Sequence, residues 1–170
     1  DVLGLPAPTG MDGVSLSAYL HDADAKIALD AYNETGIWMT DIPGMAVDHL
    51  RYPNLLEMLE VPDKQTGTMA IKPEFQRPIV QAKDRMLRRG QWKLVYQPLE
   101  SGCKLLLFDL VSDPGCISDV SAKHAEIVVT LWKALRQIID ADPDCSPISL
   151  TTSGVPPNDG AETEQPTQVA

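Results

Sequence analysis

Residues 81–110, QAKDRMLRRGQWKLVYQPLESGCKLLLFDL, constrain the fold more than any other stretch of the chain. They hold its densest run of aromatic and β-branched side chains. Arg88-Arg89-Gly90-Gln91 reads as a tight reversal, because Gly90 takes positive φ without a steric penalty. After it Trp92, Leu94 and Tyr96 alternate with Lys93 and Val95, the two-residue period of a strand with one buried face. Pro98 and Gly102 punctuate the run, since proline lacks the N–H that a ladder needs. Leu105 to Leu110 is more continuously apolar, as a strand covered on both sides would be. The expectation is an antiparallel meander of three strands whose apolar face must be covered.

The cover is legible further on. Over residues 125–139, Ile127, Val128, Leu131, Leu135 and Ile138 recur at helical spacing, with Lys123, Glu126, Lys133, Arg136 and Gln137 largely off that stripe. Glu126 in the first turn and Arg136 in a later one suit the helix dipole, and Pro143 stops the helix. The fold class that follows is α+β: a small antiparallel sheet of three to four strands covered by a C-terminal helix. Before the meander, Ser15 to Leu20 reads as a short helical turn and Lys26 to Tyr32 as a strand. Asn54 would cap a helix over Leu55 to Leu59. Pro43, Pro53, Pro62, Pro73 and Pro78 otherwise divide residues 36–78 into an irregular insertion. Past Ser146 the chain is rich in Ser, Thr, Pro, Gly and acids, the composition of a disordered tail.

Composition excludes some functions. A length of 170 residues suits one domain with a core. A net charge of −10 argues against a nucleic-acid partner, which is bound through clustered Lys and Arg. No apolar run approaches the ~20 residues of a membrane span. Cys103, Cys116 and Cys145 are widely spaced and odd in number, so no complete disulfide framework follows, nor does a zinc site.

Four segments together resemble the C-terminal part of the sulfatases of the alkaline-phosphatase superfamily. Gly10-Met11-Asp12-Gly13-Val14-Ser15-Leu16 is similar to their GMDGxSL segment, and Trp92-Lys93-Leu94-Val95-Tyr96 to their WKLV/IY strand. Leu107-Phe108-Asp109-Leu110 with Asp113-Pro114 resembles LYDLxxDP, and His124-Ala125-Glu126 the HPE helix start. The order and spacing match the family's over roughly residues 3–140, with Cys116 where an acid is common and Ala125 for the usual proline.

The resemblance implies a C-terminal lobe of a larger hydrolase of sulfuric esters, whose N-terminal α/β domain carries the active site. On this reading residues 1–25 are the connector from a missing N-terminal catalytic domain, 26–145 the C-terminal subdomain and 146–170 the tail. It also implies formylglycine as nucleophile and a calcium ion held by Asp and Asn, both in the missing domain. This chain lacks the Cys/Ser-x-Pro-x-Arg motif and the paired aspartates, so it is expected to hold no catalytic residue, metal ligand or cofactor and to be inactive alone. Cys145-Ser146-Pro147-Ile148-Ser149 mimics the motif without its arginine. A sulfated small molecule or glycan is the implied partner, and family members are often periplasmic or extracellular. A phosphodiesterase or phosphoethanolamine transferase of the same superfamily, and a non-catalytic module binding protein or anionic glycan, are the alternatives.

The candidate substrate-binding residues are the basic group Lys83, Arg85, Arg88, Arg89 and Lys93. They would meet an anionic substrate or the missing domain; the other reading is a solvated hairpin edge whose charges deter edge pairing. Asp140, Asp142 and Asp144 open like an EF-hand loop but lack its glycine and final glutamate. Asn33-Glu34-Thr35 matches a glycosylation sequon that chance explains as well. His21 and His49 read as surface residues, His124 as part of the helix entrance, and Trp38, Trp92 and Trp132 as packing residues. Glu34 to Trp38 and the insertion after them are, by family architecture, the surface facing the cleft.

Overall fold

A computed structural model describes residues 5, 13–27, 29–38, 42 and 44–142. The expected meander is its centre. Strands β4 (Arg85–Arg89), β5 (Trp92–Leu99) and β6 (Gly102–Asp109) are consecutive and antiparallel. A further strand, β1 (Asp30–Glu34), pairs with β4 and gives the order β1-β4-β5-β6. The β4–β5 turn is the two residues Gly90 and Gln91, with Gly90 at φ 58°, where a side chain would be strained.

Pro98 departs from the expected break, since β5 runs through it to Leu99. The reason is the register. β4 begins opposite Tyr96, so no residue of β4 pairs beyond it and none asks for the N–H that Pro98 lacks. Its carbonyl accepts instead from Leu50 N at 3.0 Å, and the hairpin then closes through Glu100 and Ser101.

Helix α4 (Ala125–Ala141) covers one face of the sheet. Val128, Leu131, Trp132, Leu135 and Ile139 bury themselves against Leu87, Leu94, Tyr96, Leu105 and Leu107. Tyr96 stacks on Trp132 at a centroid distance of 5.2 Å. The helix stripe is thus rotated slightly from the expected one: Trp132 and Ile139 are central, while Ile127 and Ile138 flank them. Ala125 stands at the first helical position after His124. The chain reaches it through a loop tied to β6, where Asp119 Oδ1 accepts from Leu107 N at 3.0 Å. Val120 N donates to Leu107 O at 2.9 Å. A short 3₁₀ turn, Ser121–Lys123, follows.

The proline-divided insertion carries more regular structure than its punctuation suggests. Helix α1 (Ala18–His21) precedes β1, and α2 (Leu55–Met58) starts at the expected Asn54 cap, whose side chain accepts from Leu56 N at 2.9 Å. Strands β2 (Leu59–Asp63) and β3 (Thr68–Ile71) form a separate exposed hairpin, with Pro62 in its irregular stretch. Helix α3 (Pro73–Gln81) begins with proline, where the missing N–H costs nothing. β1 lies later than expected, at Asp30–Glu34, because Tyr32 and Glu34 are the residues that face inward. No described helix is long and apolar enough to cross a membrane. The GMD of the first motif, Cys145 to Ser149, Asp144 and the tail lie outside the described residues.

Candidate functional site

Polar side chains concentrate where β1 ends and β4 begins. Alternation along β1 turns Tyr32 and Glu34 to the face that α4 covers, and the same alternation on β4 buries Arg85 opposite Glu34. The Glu34 carboxylate accepts from Tyr32 Oη at 3.0 Å, meets Lys83 Nζ, and lies 3.6 Å from Arg85 Nε. Arg85 donates through Nη1 to Lys83 O at 3.0 Å and through Nη2 to Val80 O at 2.8 Å. Burial, followed by the Glu34 charge, pushes the Tyr32 phenol well above its ordinary range.

One residue further on, the strands stay joined by a reciprocal pair. Thr35 N donates to Asp84 O and Asp84 N to Thr35 Oγ1, both at 3.0 Å. The Asp84 carboxylate then takes His49 Nε2 at 2.6 Å, while His49 Nδ1 lies 2.6 Å from Leu50 O. Trp38 sits edge-on to both His49 and Tyr52, at 5.8 and 4.8 Å between centroids. Burial raises the Tyr52 phenol as well. His49 is 1 % exposed, so its reading as a surface residue is wrong: it bridges to Leu99 and is sealed under Trp38. With both ring nitrogens engaged, it ties the loop down and is not placed to deprotonate a nucleophile.

A cavity of about 520 Å³ opens beside this cluster, with Glu34, Gln76 and Lys83 among its polar walls and Ile37, Ile79 and Val80 among its apolar ones. A second, of about 480 Å³, lies beside Gly90 between Leu29, Asp30, Arg88 and Arg89. Both are concavities open to solvent, with mixed polar and apolar walls.

The structure separates the five basic residues read from the sequence. Lys83 and Arg85 belong to the Glu34 cluster. Arg89 is forked onto Asp30, with Nε–Oδ1 at 2.7 Å and Nη2–Oδ2 at 2.5 Å. That hydrogen bond holds the Asp30 carboxyl below its usual range. Arg88 and Lys93 face each other across β4 and β5 on the opposite side of the sheet. The hairpin bearing them is no edge, because β1 and β6 flank it. Deterring edge pairing therefore does not account for their charge. Sequence reading missed the His49–Asp84 and Glu34–Arg85 pairs, because their partners lie 35 and 51 positions apart. Among the described residues no three His, Cys, Asp or Glu side chains converge as cation ligands.

The four-stranded antiparallel sheet and its long helix carry the WKLVY and LFDL segments on β5 and β6 and HAE at the start of α4, the segments that resemble the C-terminal portion of sulfatases. No family model matches the chain. Among curated proteins it is similar to Arylsulfatase K of Bos taurus, 40% identical over 72 residues, which is 41% of this chain and 13% of that protein. Arylsulfatase K of Gallus gallus is 36% identical over 90 residues, 52% of this chain and 17% of that protein. The protein of the same name from Canis lupus familiaris is 39% identical over 72 residues, 41% of this chain and 13% of its own length. The chain thus spans less than a fifth of the curated relatives it matches.

Proposed function

We propose that this chain completes a sulfatase-type hydrolase of sulfuric esters, forming its C-terminal lobe and one wall of its cleft, without supplying the catalytic groups. The observation that carries the reading is that the similar segments fall on β5, β6 and the start of α4, which pack as one unit. In this reading the formylglycine nucleophile and calcium belong to the preceding catalytic domain. The wall comprises Glu34 to Trp38 with Lys83, bordering the 520 Å³ cavity. Arg85 supports it from below, and Arg89 stands at the second cavity. A sulfated small molecule or glycan is the substrate class. The exposed large apolar side chains agree with a lost neighbour, since most belong to the first 71 residues, Val47 at 94 % and Leu56 at 85 % among them.

The test is to assay the purified chain with an aryl sulfate and calcium, and to read the coding sequence ahead of Asp1. No turnover is expected, together with an in-frame Cys/Ser-x-Pro-x-Arg motif upstream. Turnover that survives stringent purification, or a start codon directly ahead of Asp1, overturns the proposal.

A further inference from the structure

The face of the sheet turned away from α4 carries an arrangement that the described residues do not explain. Met86, Val95 and Leu106 are directly opposite one another across β4, β5 and β6 and make a half-buried apolar row. Beside that row Arg88 is directly opposite Lys93, and Lys104 follows on β6. The strand positions on this face hold three cations and no carboxylate, in a chain whose net charge is −10.

Like charges directly opposite on adjacent strands destabilise the pair. Here the described residues offer little relief. Arg88 Nε reaches only Gly90 O at 3.2 Å, and Lys93 Nζ only Cys116 Sγ at 3.7 Å. Neither has a carboxylate partner among the described residues. Lys104 has the nearby charge of Asp119, which is itself taken up by β6 and Ser121. On the helix face, by contrast, Arg85 and Arg89 are both matched by acids.

We infer that this face is an interface, and that its occupant is the preceding part of a sulfatase-type chain, presenting a carboxylate to Arg88 and Lys93 and an apolar side chain to the Met86–Val95–Leu106 row. The inference rests on the proposed function for the existence of that part; the relatives, of which the chain spans 13–17%, are long enough to supply it. Charge complementarity selects its chemistry: an apolar strip beside unmatched cations fits an acidic-rimmed protein surface.

The experiment compares the isolated chain with the full product of its gene. Lys93 is labelled with an amine-reactive reagent, and carbodiimide links contacting carboxylates to lysines for mass spectrometry. Labelling of Lys93 at least tenfold slower in the full product is expected, with Lys93 or Lys104 linked to an acid outside this sequence. The Arg88→Glu variant supplies the second readout. It should keep or raise the melting temperature of the isolated chain, by removing the like-charge pair, and lower that of the full product. Equal labelling in both forms, or an Arg88→Glu variant neutral in the full product, overturns the interface while leaving the proposed function standing. Protection that appears only on adding a sulfated oligosaccharide overturns it in favour of a glycan site. A gene product no longer than this chain removes both readings.

Discussion

Arg85 lies fully buried beneath Glu34, its Nε 3.6 Å from the carboxylate and its other nitrogens donating to the carbonyls of Lys83 and Val80. One guanidinium thereby ties β1, the start of β4 and the end of α3 to a single point, and it holds in place the carboxylate that lines the larger cavity. Lysine has no fork with which to repeat this.

Replacing Arg85 by methionine should therefore be among the most damaging single changes. Two carbonyls lose their donor and Glu34 keeps a partly buried charge with less compensation, a situation that costs about 3–5 kcal/mol when one partner is removed. A urea titration followed by circular dichroism is the check. A midpoint within the scatter of the parent protein would show that the cluster is rebuilt without the guanidinium. Arg85→Met with Glu34→Leu should recover much of the loss, because the stranded charge goes too.

The Asp30–Arg89 fork predicts a pH dependence. Its hydrogen bond to Arg89 keeps Asp30 ionised to lower pH in the folded chain than in the unfolded one. The stabilisation is fully present above the unfolded value of about 3.9 and is lost as pH falls through the lower folded value. The side chains are 47 % and 31 % exposed, so solvent screening limits the contribution to about 0.5–1 kcal/mol at neutral pH. Asp30→Asn should show that deficit at pH 7 and none at pH 2 in paired urea melts. A constant deficit across that range would assign the effect to strand propensity instead.

These clusters mark where reading the sequence stops. Period-two alternation located β5, and Gly90 the turn before it, because those signals are local. The apolar stripe found α4 for the same reason. The proline-based reading of the insertion left β2, β3 and α3 hidden, since Pro62 and Pro73 stand at positions where a missing N–H is tolerated. The site was still less legible. The five cations looked like one basic group along a strand, yet alternation sends Arg85 and Arg89 to one face and Arg88 and Lys93 to the other. Which acid meets which cation depends on β1 crossing to pair with β4, a contact no short window contains.

His49 gives a third prediction. Its ring nitrogens lie 2.6 Å from Asp84 Oδ1 and from the Leu50 carbonyl, and the loop around it is further held by Leu50 N on Pro98 O and Glu100 N on Asp48 O. His49→Phe keeps much of the volume but removes the ring nitrogens that meet Asp84 and the Leu50 carbonyl, a loss of about 2 kcal/mol. The loop should loosen before the sheet does. Hydrogen exchange at the Leu50 and Glu100 amides is expected to quicken at least tenfold while Leu94 and Leu107 change little. Uniform acceleration would mean that His49 supports the whole core and is no local clasp.

The turn that carries the Asp-Pro pair holds one residue in left-handed backbone. Asp113 Oδ2 accepts from Ile117 N at 2.7 Å and Ser118 N at 2.8 Å, and this closure forces Cys116 to φ 52°. A residue with a β-carbon pays roughly 1 kcal/mol or more for that conformation, which asparagine tolerates best after glycine. An acid is common at this place in the related pattern, and Asn, like Asp, is enriched in left-handed backbone. Cys116→Asn should thus stabilise the chain by up to about 1 kcal/mol, raising the urea midpoint without altering its slope. It also removes the thiol that Lys93 Nζ approaches at 3.7 Å. Cys116→Ala, which removes the same thiol and keeps the β-carbon, serves as the control and should give no gain. If alanine stabilises as much as asparagine, the benefit comes from losing sulfur and the backbone at this turn is not strained.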